Sequence, residues 1–205
     1  MESICQNLGG VITMPEFRER KLYMHKMVMN EVALPNVFKD YEPTIDSVLS
    51  KVKDRNNVCY ITIDEKKIKG GTHRRSGIHC DFNWHEEIKA HGTGEGGGGH
   101  KRVMSGGWTN PNPPSWKRKD IEGGGMLLVS NYEGCKVWRG EFEGEIGEGG
   151  CCKKIDVSNL ETEIMKSGDV FYLNALGIHE SIVIDKEVNR SLIRINFHPD
   201  YKFIN

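Results

Sequence analysis

His79-Cys80-Asp81 sets an imidazole and a carboxylate on alternate residues of one short segment. Alternate side chains of an extended strand share a face, so His79 and Asp81 aim at one point while Cys80 turns away. His179, carried on another strand, supplies a second imidazole. Two neutral imidazoles and a carboxylate occupy one face of a ferrous ion and leave its other positions open to oxygen and a co-substrate. Arg190 follows 190 − 179 = 11 residues later, in a strand-like run. Its guanidinium suits a carboxylate through two parallel charge-assisted bonds. Metal-centred oxidation helped by a carboxylate-bearing small molecule is the chemistry that these four residues can do together.

The elements that must position them are mostly strands. Residues 181–185 read as a strand, 186–189 as a polar turn and 190–197 as the returning strand, a hairpin that sets Arg190 a few pleats from His179. The first core strand is 58–63, followed by a turn through Gly70-Gly71. Segments 125–130 and 135–142, joined by a turn at 131–134, continue the rhythm of an all-β sandwich. A loop at 143–150 and the 156–163 segment lead to the Gly168-Asp169 turn, which opens the strand 170–173.

The first 56 residues read as a mixed, partly helical support, and 57–205 as the core of a single domain. Residues 16–32 are rich in helix formers. Residues 44–52 carry apolar side chains at 45, 48, 49 and 52, one face of a short helix, with Pro43 before it and Thr44 as its N-cap. Within the core lies a long insertion, 85–125, glycine-dense at 92–99 and proline-rich at 108–116. Neither stretch favours regular structure, and a loop of that length in a small domain suits a lid over the pocket. His85, His91 and His100 flank it as loop histidines.

At 205 residues the chain is long enough for one buried core, and no stretch has the apolar length of a membrane span. The start lacks a basic segment followed by an apolar one, so a cytoplasmic setting with reduced thiols is expected for the six cysteines. No Cys-x-x-Cys spacing marks a structural zinc site. A net charge of −1 gives no global pull toward nucleic acid. Two local basic patches, His73-Arg74-Arg75 and Trp116-Lys117-Arg118-Lys119, are nevertheless suited to phosphates or to stacking on a base.

Taken together, these residues resemble the Fe(II)- and 2-oxoglutarate-dependent dioxygenases, whose core is a double-stranded β-helix, the jelly-roll also found in cupins. That family carries His-x-Asp or His-x-Glu, then a distal His after a Gly-Asp turn and hydrophobic strand, and shortly afterwards an Arg or Lys. The resemblance covers residues 58–197. It implies a mainly β fold with flanking helices, iron ligands His79, Asp81 and His179, and Arg190 as the grip on the far carboxylate of 2-oxoglutarate. Tyr60, Asn83 and Tyr132 are then candidates for the other end of that co-substrate. Where many members place a Ser two positions after the Arg, this chain has Leu192, with Ser191 one position earlier. The implied reaction uses oxygen, hydroxylates a substrate and releases succinate and CO2.

A protein side chain, a nucleobase and a small molecule are all substrates of the family. The nucleic-acid repair branch spaces two arginines more widely than Arg190 and Arg194 stand here, while prolyl-hydroxylase relatives more often anchor with Lys. The alternative is a non-enzymatic, cupin-like jelly-roll that binds a metal or ligand. Cupin sites typically read His-x-His in the first motif, and Asp81 departs from that.

Overall fold

Runs rich in β-branched and aromatic residues around 58–63, 126–130 and 190–197 form strands, because such side chains pack well on a pleated surface. A computed structural model of the chain describes residues 1–83 and 122–203, and between them only the backbone of two short strands. In chain order the strands are β1 (Glu2–Ser3), β2 (Cys5–Asn7), β3 (Lys21–Val28), β4 (Val58–Gly71), β5 (His100–Val103), β6 (Gly107–Thr109), β7 (Met126–Ser130), β8 (Cys135–Glu141), β9 (Glu161–Ile164), β10 (Phe171–Leu173), β11 (Ile178–Ser181) and β12 (Ile184–Phe197). A 3-10 turn at Asn36–Tyr41 runs into the helix α1 (Glu42–Leu49). The lid expected over the pocket, the side chains of His85, His91 and His100, and Lys117, Arg118 and Lys119 lie outside the described residues.

Two antiparallel sheets make a sandwich-like, mainly β fold. The larger has six strands in the order β2-β10-β7-β12-β4-β3. The smaller joins β1, β8 and β11, with β9 also pairing β8. The described residues form no closed barrel, and no described helix is long and apolar enough to cross a membrane. The first residues are woven into both sheets: Ser3 sits opposite Gly140 of β8, and Cys5 opposite Leu173 of β10.

Alternation along β12 separates two apolar layers, one on each face of the large sheet. Ile193, Ile195 and Phe197 face the same way as Cys59, Ile61, Ile63, Leu127 and Val129, and this layer packs on Ile45, Val48 and Leu49 of α1. Leu192 faces the other way, toward Leu128, Val137, Phe171 and Leu173 between the sheets. Arg190, Arg194 and Asn196 share that interior face by the period of two. Asn196 stands opposite Tyr60 and Leu192 opposite Asp64.

Four readings of the sequence are corrected. Segment 16–32 is not helical: Lys21–Val28 is the edge strand β3, with a one-residue bulge between Leu22 and His25. The bulge brings both Leu22 and Met27 onto the α1 side, and five residues of separation cannot do this in a regular strand. Nor do 186–189 turn; β12 runs through them, paired with β4 from Glu187–Lys69 to Phe197–Cys59. The β4 strand accordingly extends to Gly71 rather than ending at 63. Finally, α1 starts from Tyr41 as N-cap, and Thr44 sits inside it, donating from its hydroxyl to the Thr13 carbonyl at 3.2 Å.

Candidate metal centre

Gly-Ile-His occurs twice in the chain, at 77–79 and 177–179. In each copy the histidine Nδ1 meets the carbonyl of the glycine two residues back, at 2.7 Å for His79 and 2.9 Å for His179. A carbonyl oxygen only accepts, so both Nδ1 atoms carry the proton and both Nε2 atoms keep a lone pair free for a metal. The backbone aligns the two rings. His79 N donates to His179 O at 2.9 Å and His179 N to His79 O at 2.8 Å, the mutual exchange of directly opposed residues in an antiparallel bridge. Their ring centroids stand 4.4 Å apart.

Asp81, two residues on, joins the same side. Its carboxylate oxygens lie 3.8 Å from His79 Nε2 and 3.8 Å from His179 Nε2. One donor atom from each of the three lies within 4.8 Å of the others. Cys80 faces the opposite way, into an apolar cluster with Trp138, Cys152 and Ile178. The segment 79–81 forms an isolated antiparallel bridge at His79 and not the strand expected, yet Cys80 still turns away and the structure brings His79, Asp81 and His179 together.

The charges of this trio are set by burial and one arginine. Burial favours the neutral imidazoles, taking His79 down to about 3 with help from the His179 ring and lowering His179 against the pull of Asp81. Burial opposes the Asp81 charge, but Arg194 and the two rings hold its carboxyl well below the usual range. Arg194 Nη1 donates to Asp81 Oδ2 at 2.6 Å.

Arg190 is 2% exposed. Its Nε donates to the Tyr132 carbonyl at 3.2 Å and its Nη1 to His73 Nδ1 at 3.0 Å. Two of its five N–H groups are thereby used. Burial pushes Arg190 down to about 10, leaving it a cation at neutral pH. Gly134 lies flat against it, for a Cβ there would stand 2.9 Å from the guanidinium carbon. His73 Nε2 in turn lies 3.5 Å from Asp64 Oδ2.

The remaining candidates are placed as follows. Tyr60 is buried on the interior face of β4. Asn83 donates to the Gly123 carbonyl at 3.1 Å and accepts from Gly125 N at 2.8 Å, so its amide pins the 123–125 turn. Tyr132 meets Arg190 through its carbonyl, while Lys186 lies over its ring at 5.5 Å. Arg74 donates to Asp64 at 3.0 Å and Arg75 to the Gly149 carbonyl at 2.7 Å.

Residue types and spacing alone did not reveal the roles of Arg194, His73, Asp64 and Gly134 around the site. The repeated Gly-Ile-His was the legible signal for the paired rings. The even spacing of Arg190 and Arg194 was the legible signal that both face inward. No protein-family model, curated protein or solved structure matches the chain.

Proposed function

We propose that this chain is an Fe(II)- and 2-oxoglutarate-dependent dioxygenase, built on a double-stranded β-helix, that hydroxylates a substrate and releases succinate and CO2. The observation that carries this reading is the opposed pair His79 and His179 with Asp81 beside them, facing a strand that holds the buried Arg190 and the half-buried Arg194. The donor set fits a ferrous ion: two neutral Nε2 lone pairs and one ionised carboxylate on a single side leave the other side for small molecules. The interior also has polar atoms awaiting a partner. Arg194 Nε and Asn196 Oδ1 are buried without a hydrogen bond among the described residues, and buried polar groups are normally paired.

When bound, iron with 2-oxoglutarate supplies the activation of oxygen for hydroxylation. The protein's own residues bind and orient. His79 and His179 present lone pairs because glycine carbonyls hold their Nδ1 protons, and Asp81 stays ionised beside Arg194. Arg190 brings a desolvated positive charge and, among the described residues, three N–H groups beyond those given to Tyr132 and His73, a receptor for the far carboxylate. Leu128, Val137 and Leu192 line the apolar layer between the sheets and exclude water.

The test is anaerobic titration of Fe(II)-loaded protein with 2-oxoglutarate, following the weak visible band of a chelated ferrous centre. A band in the wild type that weakens in Arg190→Ala by about ten- to a hundredfold in co-substrate affinity is the expected result. Failure of any band to appear at saturating metal overturns the reading. A second reading has its own observation, since Arg194 already pairs with Asp81 as in a module that needs no metal. Binding of metal without a response to 2-oxoglutarate would favour that cupin-like binding module.

A further inference from the structure

Arg190, buried, and Arg194, half-buried, lie four residues apart on the same interior face of β12, yet their charges are met in opposite ways. Arg194 touches a carboxylate directly, Asp81 at 2.6 Å. Arg190 touches an imidazole, His73 at 3.0 Å, and the nearest acid, Asp64, stands behind that ring at 3.5 Å. An arginine N–H only donates and a guanidinium does not lose its proton in a protein, so His73 Nδ1 must offer a lone pair. The single proton of the neutral ring then sits on Nε2, which faces Asp64 Oδ2 at 3.5 Å as an electrostatic approach, with no hydrogen bond to Nε2 among the described residues. Asp64 is held by Arg74 at 3.0 Å and Lys21 at 3.5 Å, which fixes the far end of the relay.

We propose that His73, oriented by Asp64, is a positioning residue for the carboxylate-bearing co-substrate: it fixes the Arg190 guanidinium through a neutral acceptor and so leaves the positive charge of Arg190 available for an anion. The inference rests on the 2-oxoglutarate reading above. A carboxylate in the place of His73 would hold the guanidinium equally well but would spend its charge. A neutral imidazole satisfies one N–H without cancelling that charge, while the balancing acid stays one ring away. His73 is 5% exposed, so no water stands in for it cheaply.

The groups facing His73 set its response to pH. Burial lowers its affinity for a proton, Asp64 of β4 raises it, and Arg190 of β12 and Arg74 lower it again. The net shift is downward, so the ring is neutral near pH 7 and gains its proton only below the ordinary value of 6.5. Protonation removes the acceptor and sets one buried cation against another. Co-substrate binding should therefore weaken on the acid side.

Calorimetry with Mn(II)-loaded protein and 2-oxoglutarate, run alongside a Mn(II) titration of each variant, tests this without turnover. His73→Ala should weaken 2-oxoglutarate by about tenfold near neutrality while leaving Mn(II) affinity unchanged. His73→Gln keeps an acceptor for Arg190 and a donor for Asp64 but cannot titrate. It should bind like the wild type near neutrality and lack the wild type's loss of affinity below pH about 6.5 at matched metal occupancy. In metal-free wild type, nitrogen NMR should show His73 neutral with its proton on Nε2. Unaltered affinity in His73→Ala, or a proton on Nδ1, overturns the inference alone. Absence of 2-oxoglutarate binding to the wild type overturns the oxygenase reading and this inference with it.

Discussion

Asp81 serves two partners, the site between the histidines and the guanidinium of Arg194. Its Oδ2 lies 2.6 Å from Arg194 Nη1 and 3.8 Å from His179 Nε2. A charge-assisted bond of that length fixes the carboxylate's rotation and keeps it ionised, the service that groups behind a metal ligand usually provide. Replacing Arg194 with Met keeps the stem and removes the fork. Metal affinity should then fall by about ten- to a hundredfold, as is typical when such a supporting partner is lost. Mn(II) calorimetry on Arg194→Met checks this, and wild-type affinity would show that Asp81 is held by the fold without its arginine. Parity along β12 sets Arg194 on the same face as Arg190, four residues away. It could not tell which acid Arg194 meets, because Asp81 arrives on a segment 113 residues distant in the chain.

At the scale of elements, the sequence was legible where one face of a strand is buried and the other meets a second layer. It was illegible where that contrast fails. Strands 126–130 and 135–141 were found because turn residues bound them. Residues 186–189 were read as a turn because Lys186, Glu187 and Asn189 are polar. They belong instead to the outer end of the β4–β12 ribbon, where exposed Glu187 bridges Lys67 at 2.6 Å and Lys69 at 3.1 Å across the strands. A ribbon solvated at its end needs no alternation, so its pattern looks like a loop. The turn before β8 had the converse fate, for Gly134 read as ordinary turn chemistry yet makes room for the Arg190 guanidinium. Gly134→Ala would bring a methyl within 2.9 Å of the Arg190 Cζ and displace the fork rather than the backbone. Affinity for 2-oxoglutarate should drop about tenfold in this variant, with metal affinity and melting temperature little changed. A melting temperature that falls with no change in affinity would place Gly134 in the folding of the turn and not in the site.

Across the whole molecule, β4 divides chemistry from stability between two consecutive acids. Alternation turns Asp64 toward the interior, where it orients His73, and Glu65 toward the helical side. The Glu65 carboxylate, fully buried, accepts from Arg18 N at 3.0 Å, Arg20 N at 2.7 Å, Arg20 Nη2 at 3.0 Å and Tyr41 Oη at 2.7 Å. Arg20 also grips Asp40 at 2.8 Å and lies over the Phe38 and Tyr41 rings, so one carboxylate ties the N-terminal arm, the 3-10 turn and the large sheet together. Burial opposes the Glu65 charge, yet Arg20, Tyr41 and the backbone donors hold its carboxyl below the ordinary 4.5. For Asp64, burial is likewise outweighed, by His73, Arg74 and Lys21, and its carboxyl falls below the ordinary 3.8. The unfolded chain therefore takes up protons at both acids at a higher pH than the folded protein does. Stability from these groups is complete above about pH 5 and is lost as the pH falls through and below their ordinary values. Glu65→Ala should cost about 3 kcal/mol, because it leaves the buried Tyr41 hydroxyl and the Arg18 and Arg20 amides without their acceptor, while Arg20 keeps Asp40. It should also flatten the acid limb, which urea unfolding across that pH range will measure. Because Glu65 and Asp64 face opposite layers, the same variant should keep 2-oxoglutarate affinity in the protein that remains folded. A joint loss would mean that the two faces of β4 communicate.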